Sequence, residues 1–404
     1  MLPLYAMLFI LIVYFIGDLV ASLTKSLVPS LFTCSVLFLL SFWTGLIPNT
    51  LFVDSTMAVF GPTMMTMLLV HMGSMLNVNQ LIQQWKTVLI GAAGIVGVVV
   101  LLFLVGKPLV GEETVLVAAP PISGGVIAGL QMSKAAEAIN RPDLQLMASL
   151  LVVIQGFIGY PLASFFLRQE GKKLVEGYRH GQVFEEIEDA EIVEKPSVFK
   201  LPDRFRTANY YLAKTAAIAA LAVFLSTASK SIVTGIGWLD VLLHLDANVL
   251  GLIFGILAAH FNILERQPLV KGNSFGLGMA TLTVLIFMGL ANAQPQDILS
   301  LAGPLVLCLI LGAIGIIILS GIMGKLLHIS PWMSFAIGIT ALFGFPGTFV
   351  VSNEVASALA ANDEEKKVIL GQILPKMLVA GFVTVSIGSV ILAGFLSNLL
   401  TPGI

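Results

Sequence analysis

The sequence predicts an all-α polytopic membrane protein made of two inverted repeats of five transmembrane helices, each repeat carrying one re-entrant helical hairpin. Three observations carry that expectation. The 404 residues are 57% hydrophobic and only 11% charged, with a mean hydropathy of +0.97, whereas soluble domains carry about 25% charged residues. Apolar runs of about 20 residues, the length that crosses a bilayer as a helix, recur along the chain. Two further runs are broken by Pro and Gly at corresponding places in the two halves.

The spanning helices are expected at 2–24, 27–48, 57–76, 87–105 and 144–167 in the first half, and at 209–229, 241–263, 274–293, 298–324 and 368–396 in the second. The first run has no Lys or Arg ahead of its apolar core and is too long for a signal-peptide core, so it reads as a retained helix. The broken runs, 114–140 and 331–362, each fall between the fourth and fifth helix of a half. The organisation is therefore a first repeat over 1–167, a polar linker over 168–208 and a second repeat over 209–404. "HMGSMLNVNQ" and "FMGLANAQPQ" end the third helix of each half. They place Met72, Gly73 and Asn77 against Met288, Gly289 and Asn292, at nearly the offset that separates the broken runs.

An odd number of helices per half inverts the second half. Positive residues collect in short cytoplasmic loops. With the linker cytoplasmic and both broken runs returning to the side they entered, Lys25, Lys86, Arg266, Lys271, Lys325, Lys366 and Lys367 fall inside with the linker's basic residues. Only Lys107, Arg141 and Lys230 fall outside, and both termini are external. Making each broken run a full crossing disrupts this bias.

Irregular backbone at membrane depth needs protein or water around it. In "AAPPISGGVIAGLQMSK", Pro120 and Pro121 remove helix donors and Gly124 and Gly125 permit a reversal. In "TALFGFPGTFVVSNEVAS", Gly344, Pro346 and Gly347 do the same. Each exit helix then starts near mid-bilayer with unpaired N–H groups and the positive end of its dipole. Paired discontinuous helices are the sequence pointer to a transporter's binding site. Polar residues follow each break: Ser133, Lys134 and Glu137, then Ser352, Asn353 and Glu354. Lys134 is suited to a substrate carboxylate or to pairing with Glu137 three residues on. Glu354 suits a cation or a proton, and Thr348, Ser352 and Asn353 offer hard oxygen donors for Na⁺. Asn77 and Asn292 join the candidate ion-binding set.

Other polar groups carry less. Asp18, Lys214 and Lys376 lie within helices, and His71 and His260 read as packing residues. No HExxH or CxxC spacing exists, and no cofactor is expected beyond a coupling ion. "GNSF" (272–275) superficially resembles a serine-protease motif, but Ser274 stands where a helix cap belongs. No enzyme is expected. Cys34 and Cys308 lie in apolar runs and read as buried thiols, and no basic stripe suits nucleic acid.

The run "ISGGVIAGLQMSK" resembles the first re-entrant motif of the bacterial sodium/glutamate symporter family, with Ser123, Gly124, Gly125, Gly129, Ser133 and Lys134 matching. Gly344-Phe345 and Gly347-Thr348 look like that family's Gly-Phe-Gly run, with Asn353 near its closing Asn. Val126–Ala128, Pro346 and Glu354 depart from the pattern. The resemblance implies Na⁺-coupled uptake of a small organic anion or amino acid by an elevator movement, in a homodimer of the bacterial inner membrane. The wider fold group adds proton-coupled organic-anion transporters and cation/proton antiporters. A passive channel, the competing class, needs a ring of carbonyls or charges along a pore, and none is evident.

Overall fold

The computed structural model describes residues 1–75, 84–182, 202–230, 247–382, 384 and 388–400. Regular structure among these residues is entirely helical. Seven helices among them are long and apolar enough to cross a membrane: Pro3–Leu23, Met57–Met75, Trp85–Val110, Pro142–Arg179, Ala208–Ser229, Phe275–Asn292 and Ala302–Leu326. The protein is a multi-pass helical membrane protein. Of the predicted 168–208 linker, residues 183–201 lie outside the described residues.

We number the main helices α1 (Pro3–Leu23), α2 (Ser30–Trp43), α3 (Met57–Met75), α4 (Trp85–Leu101), α5 (Glu112–Ala138), α6 (Pro142–Arg179), α7 (Ala208–Lys230), α8 (Ala247–His260), α9 (Phe275–Phe287), α10 (Ala302–Leu326), α11 (Pro331–Ile339), α12 (Gly347–Leu359), α13 (Asp363–Phe382) and α14 (Ser389–Leu400). Several bounds differ from expectation. Pro29 precedes α2 and Gly45, at φ 70°, follows it closely, so α2 holds only 14 residues. Helix α6 runs a full three turns past the expected 167, to Arg179. Of the expected 368–396 helix, α13 reaches Phe382 and α14 begins at Ser389, while residues 383 and 385–387 lie outside the described residues. The Thr384 hydroxyl donates to the Ala380 carbonyl at 2.8 Å, a back-bond that bends helices.

The chain divides into two compact units. One, Met1–Leu8, Thr50–Gln83 and Glu185–Met288, holds α3, α7, α8 and α9. In it α3 packs against α8 through glycines: a Cβ on Gly73 would strike the Leu252 carbonyl, and one on Gly255 the Val70 carbonyl. Lys214 of α7 reaches Glu265 at 2.8 Å, both largely buried. His71 accepts the Leu269 N–H at 3.2 Å, so its ring is held by backbone.

The other unit, Phe9–Asn49, Gln84–Phe184 and Gly289–Ile404, holds both broken runs. At its centre α4 crosses α10 with no side chain between them. A Cβ on Gly97 would overlap the Gly315 carbonyl, and one on Gly315 the Gly97 carbonyl. Both helices also touch the broken runs: Gly94 of α4 meets Gly338 of α11, and Gly312 of α10 meets Ile122 of α5.

Candidate functional site

The site is built on α6, in the second unit. As one straight helix, the 27 residues of α5 would separate their ends by about 40 Å. Instead Arg141, just past its end, pairs with Glu113 at its start. The chain reverses at Gly124 (φ 162°, ψ 60°) and Gly125 (φ 82°, ψ −164°). Positive φ at Gly125 is the conformation for which a side chain is penalised. The outgoing arm then lies on α6, where Gly129 faces Val152 and the Ala148 carbonyl.

The second broken run starts and ends towards the other end of α6. The Ser330 hydroxyl donates to Glu170, while Gly171 faces Leu359 and Val355, so both ends of the run meet near residues 170–171. Between them α11 passes into a 3₁₀ turn at Thr340–Leu342, Gly344 takes φ 59°, and α12 starts at Gly347. The reversal rests on Gly159 and Tyr160 of α6. A Cβ on Gly159 would meet Leu342 Cβ at 2.9 Å, and the Tyr160 and Phe343 rings are 5.1 Å apart. The two reversals thus approach from opposite ends of α6 and stop about one turn apart along it.

The end of α13, Thr384 and the start of α14 back the same place. Thr384 and Ser389 hold the first reversal: the Ser389 hydroxyl donates to the Gly124 carbonyl at 2.8 Å, and a Cβ on Gly124 would lie 2.8 Å from the Thr384 carbonyl. Thr384 also lies 3.4 Å, hydroxyl to hydroxyl, from Thr340 of the second. A Cβ on Gly381 would touch Thr348 at 2.9 Å.

No known family model matches this chain. No curated protein matches it either.

The sequence-predicted residues divide sharply. Ser123, Gly124, Gly125, Gly344, Gly347, Thr348 and Ser352 sit in or beside the reversals. Ser123 donates to the Pro120 carbonyl at 2.9 Å and Ser352 to the Thr348 carbonyl at 2.6 Å. Gly129 is a packing contact with α6. Ser133 is half-buried, and Lys134 and Glu137 are exposed on the outgoing arm with no ion pair between them. Asn292 is exposed, and Asn77 lies outside the described residues.

The expected Na⁺ set of Thr348, Asn353 and Glu354 does not converge. A helix turns about 100° per residue, so the three point in different directions, and Asn353 and Glu354 take different partners. Asn353 donates to the Phe349 carbonyl at 2.9 Å. Glu354 accepts the Ser30 N–H at 3.1 Å and the Ser30 hydroxyl, at the start of α2. A carboxylate there satisfies an end-of-helix donor and suits the dipole. The free N–H groups expected at the start of α12 are also largely taken: Thr348 N–H donates to the Gly344 carbonyl, and Phe349 and Val350 N–H to that of Pro346.

Two buried oxygens beside the second reversal are left without a hydrogen-bond partner: Thr348 Oγ1 and Gln155 Oε1. Gln155 escaped the sequence reading because nothing distinguishes one glutamine in an apolar helix. Thr340, Thr384 and Ser389 escaped it too, although the small polar run after Gly381 was a usable signal. Ser274 precedes α9 as expected, but its hydroxyl turns to the Leu269 carbonyl at 3.4 Å and makes no cap bond.

Proposed function

We propose that the protein is a secondary active transporter that couples Na⁺ entry to uptake of a small carboxylate or amino acid, glutamate-like in size and polarity. The supporting observation is the pair of chain reversals that end beside each other on α6 within one compact unit. In a bilayer with a hydrocarbon core of about 30 Å, reversals from the two ends of α6 reach the middle. On this reading each is a re-entrant hairpin, the first entered from outside and the second from the cytoplasm.

Internal duplication is supported by the α4–α10 crossing. Gly97 and Gly315 stand at almost the offset of Gly73 and Gly289, and each contacts the other in the same way. Equivalent residues on a two-fold axis must do so. The partner contacts, Gly94 to Gly338 and Gly312 to Ile122, also exchange the two halves to within a turn. The resemblance of the Ser123–Lys134 run to sodium/glutamate symporters points to the same class. An elevator is the economical mechanism, because both hairpins belong to one unit that can move as a body. A homodimer of the bacterial inner membrane is the setting this reading implies.

Proton coupling is the second reading, with organic-anion transport or cation/proton antiport as its forms. It is favoured by Glu354, whose partners in the structure are the neutral N–H and hydroxyl of Ser30.

Purified protein in liposomes separates these readings. With radiolabelled glutamate and a panel of small carboxylates, an inward Na⁺ gradient is expected to drive accumulation above equilibrium, and a proton gradient alone is not. Accumulation under the proton gradient only would select the second reading. Equilibration without accumulation would mean a channel, and no uptake under any gradient would refute transport of these solutes.

A further inference from the structure

We propose that the cavity at the end of α4 is a phospholipid site that selects an ethanolamine headgroup. The site lies apart from the two reversals, and it needs neither Na⁺ coupling nor a particular direction of hairpin entry.

The cavity measures about 700 Å³, and Phe103, Val110, Leu116, Leu399 and Leu400 form its apolar wall. Glu112, Glu113, Thr114 and Arg141 form its polar side. Its level in the membrane follows from the chain. The apolar span Trp85–Val110 ends here, and Lys107, Glu112 and Glu113 cluster around that end. The cavity therefore lies at the depth of lipid headgroups, where hydrocarbon gives way to charge. Beside it the helix makes a π turn, Leu102–Gly106, a rare deviation found frequently at functional sites, and Phe103 of that turn lines the cavity. Away from the charges the surface stays apolar. Val100 and Leu104 on one side, and Phe395 and Leu399 of α14 on the other, are exposed and about one turn apart. Acyl chains can lie along these two ridges.

Size and charge choose the occupant. A volume of this order, half walled by hydrocarbon, suits an amphiphile rather than an ion or a small polar solute. The rim holds three carboxylates against two cations: Glu112 pairs with Lys107 at 2.8 Å, and Glu113 and Asp143 both pair with Arg141. That excess disfavours an anionic headgroup and favours one that carries an amine. Glu112 and Glu113 use only Oε2 in these pairs. A carboxylate accepts at both oxygens, so Oε1 of each is open to an ammonium. Arg141 uses one N–H each at Nε, Nη1 and Nη2. A guanidinium has five, so two remain, with the Thr114 hydroxyl, for the phosphate that joins ethanolamine to glycerol. Choline offers no N–H to the carboxylates, and phosphatidylglycerol brings no cation.

The test is native mass spectrometry of the purified chain in detergent, titrated with phosphatidylethanolamine, phosphatidylcholine and phosphatidylglycerol of the same acyl chains. The ethanolamine lipid should bind about tenfold more tightly than the choline lipid, as expected for hydrogen bonds to a charged group. Glu112→Gln combined with Glu113→Gln should erase that preference. Glu113 also closes the first reversal onto Arg141, so should the double variant fail to fold, Glu112→Gln alone takes its place and should lower the preference about threefold. Leu399→Trp fills the cavity without touching its charges and should weaken binding of the ethanolamine lipid about tenfold or more. Equal affinity for the ethanolamine and choline lipids, tighter binding of phosphatidylglycerol, or ethanolamine-lipid binding unaltered by Leu399→Trp overturns the site. So does displacement of the lipid by an equal concentration of glycerophosphoethanolamine, which has the headgroup and no chains, because the apolar wall would then contribute nothing.

Discussion

Gly125 shows what a single residue contributes to this architecture. Its φ of 82° and ψ of −164° lie in a region essentially confined to Gly, where a Cβ costs about 1–3 kcal/mol, and the first reversal depends on it. Gly125→Ala is expected to lower the melting temperature in detergent by several degrees. Gly303 is the control. It lies in the first turn of α10 with nothing within 4 Å of an added Cβ, so Gly303→Ala should be neutral or stabilising by up to about 1 kcal/mol. Equal effects of the two would show that the backbone at 124–125 is not under this constraint. Glu354 makes a second residue-scale case. Read from sequence it is a cation or proton ligand, and in the structure it receives Ser30 at the start of α2. Glu354→Ala should destabilise the protein by about 1 kcal/mol, as loss of a helix cap does. Glu354→Gln, which keeps an acceptor, should cost less and leave the Na⁺ dependence unchanged; a lost Na⁺ response in Glu354→Gln would return Glu354 to the ion site. The sequence does not show this contact for one reason: the partners lie far apart in the chain. Ser30 and Glu354 are 324 positions apart, and no local pattern announces that meeting.

At the scale of elements the sequence was more informative, because breaks are local chemistry. Pro120, Pro121, Gly124 and Gly125, and then Gly344, Pro346 and Gly347, mark both reversals in letters that a helix rejects. Between elements, α6 and α13 are tied by a bidentate pair: Arg179 Nε to Glu365 Oε1 at 2.7 Å and Nη2 to Oε2 at 3.0 Å, with Ala361 N–H donating to Oε2 at 2.8 Å. The Arg179 guanidinium holds the Glu365 carboxyl below its ordinary range. A depressed carboxyl stabilises the folded chain fully above about pH 4.3, the ordinary Glu value, and that contribution is lost as the pH falls through its lowered value. Melting temperature should therefore fall on acidification below pH 4.3, and Glu365→Gln should flatten that part of the profile while lowering the curve at neutral pH. An unchanged profile in Glu365→Gln would show that the pair is not coupled to folding. The α4–α10 crossing is less forgiving. Gly97→Leu or Gly315→Leu must push the helices apart, and each is expected to cost at least the 1–3 kcal/mol typical of overpacking, read as lost monodisperse protein. Retained stability would mean that the crossing is looser than the glycine contact implies.

For the whole molecule, composition alone announced a multi-pass membrane protein, and seven apolar helices of sufficient length agree. The division into two units was not legible, because it follows from which helices pack together rather than from their order. That division gives the transport reading its mechanical content. On that proposal, two broken runs in one unit would keep their polar residues together as the unit moves, and alternating access would need motion of a body rather than repacking of a site.

The central claim is that the two broken runs enter the bilayer from opposite faces, each returning to the face it left. Accessibility of single cysteines to a membrane-impermeant thiol reagent tests it most directly, in a background lacking Cys34 and Cys308, which are both buried. Positions 112 and 137 flank the first run and 328 and 362 the second, and all four are exposed. Cysteines at 112 and 137 should both label from outside intact cells, and those at 328 and 362 only in inside-out vesicles. Members of either pair labelling from opposite faces, or all four from one face, would contradict the account.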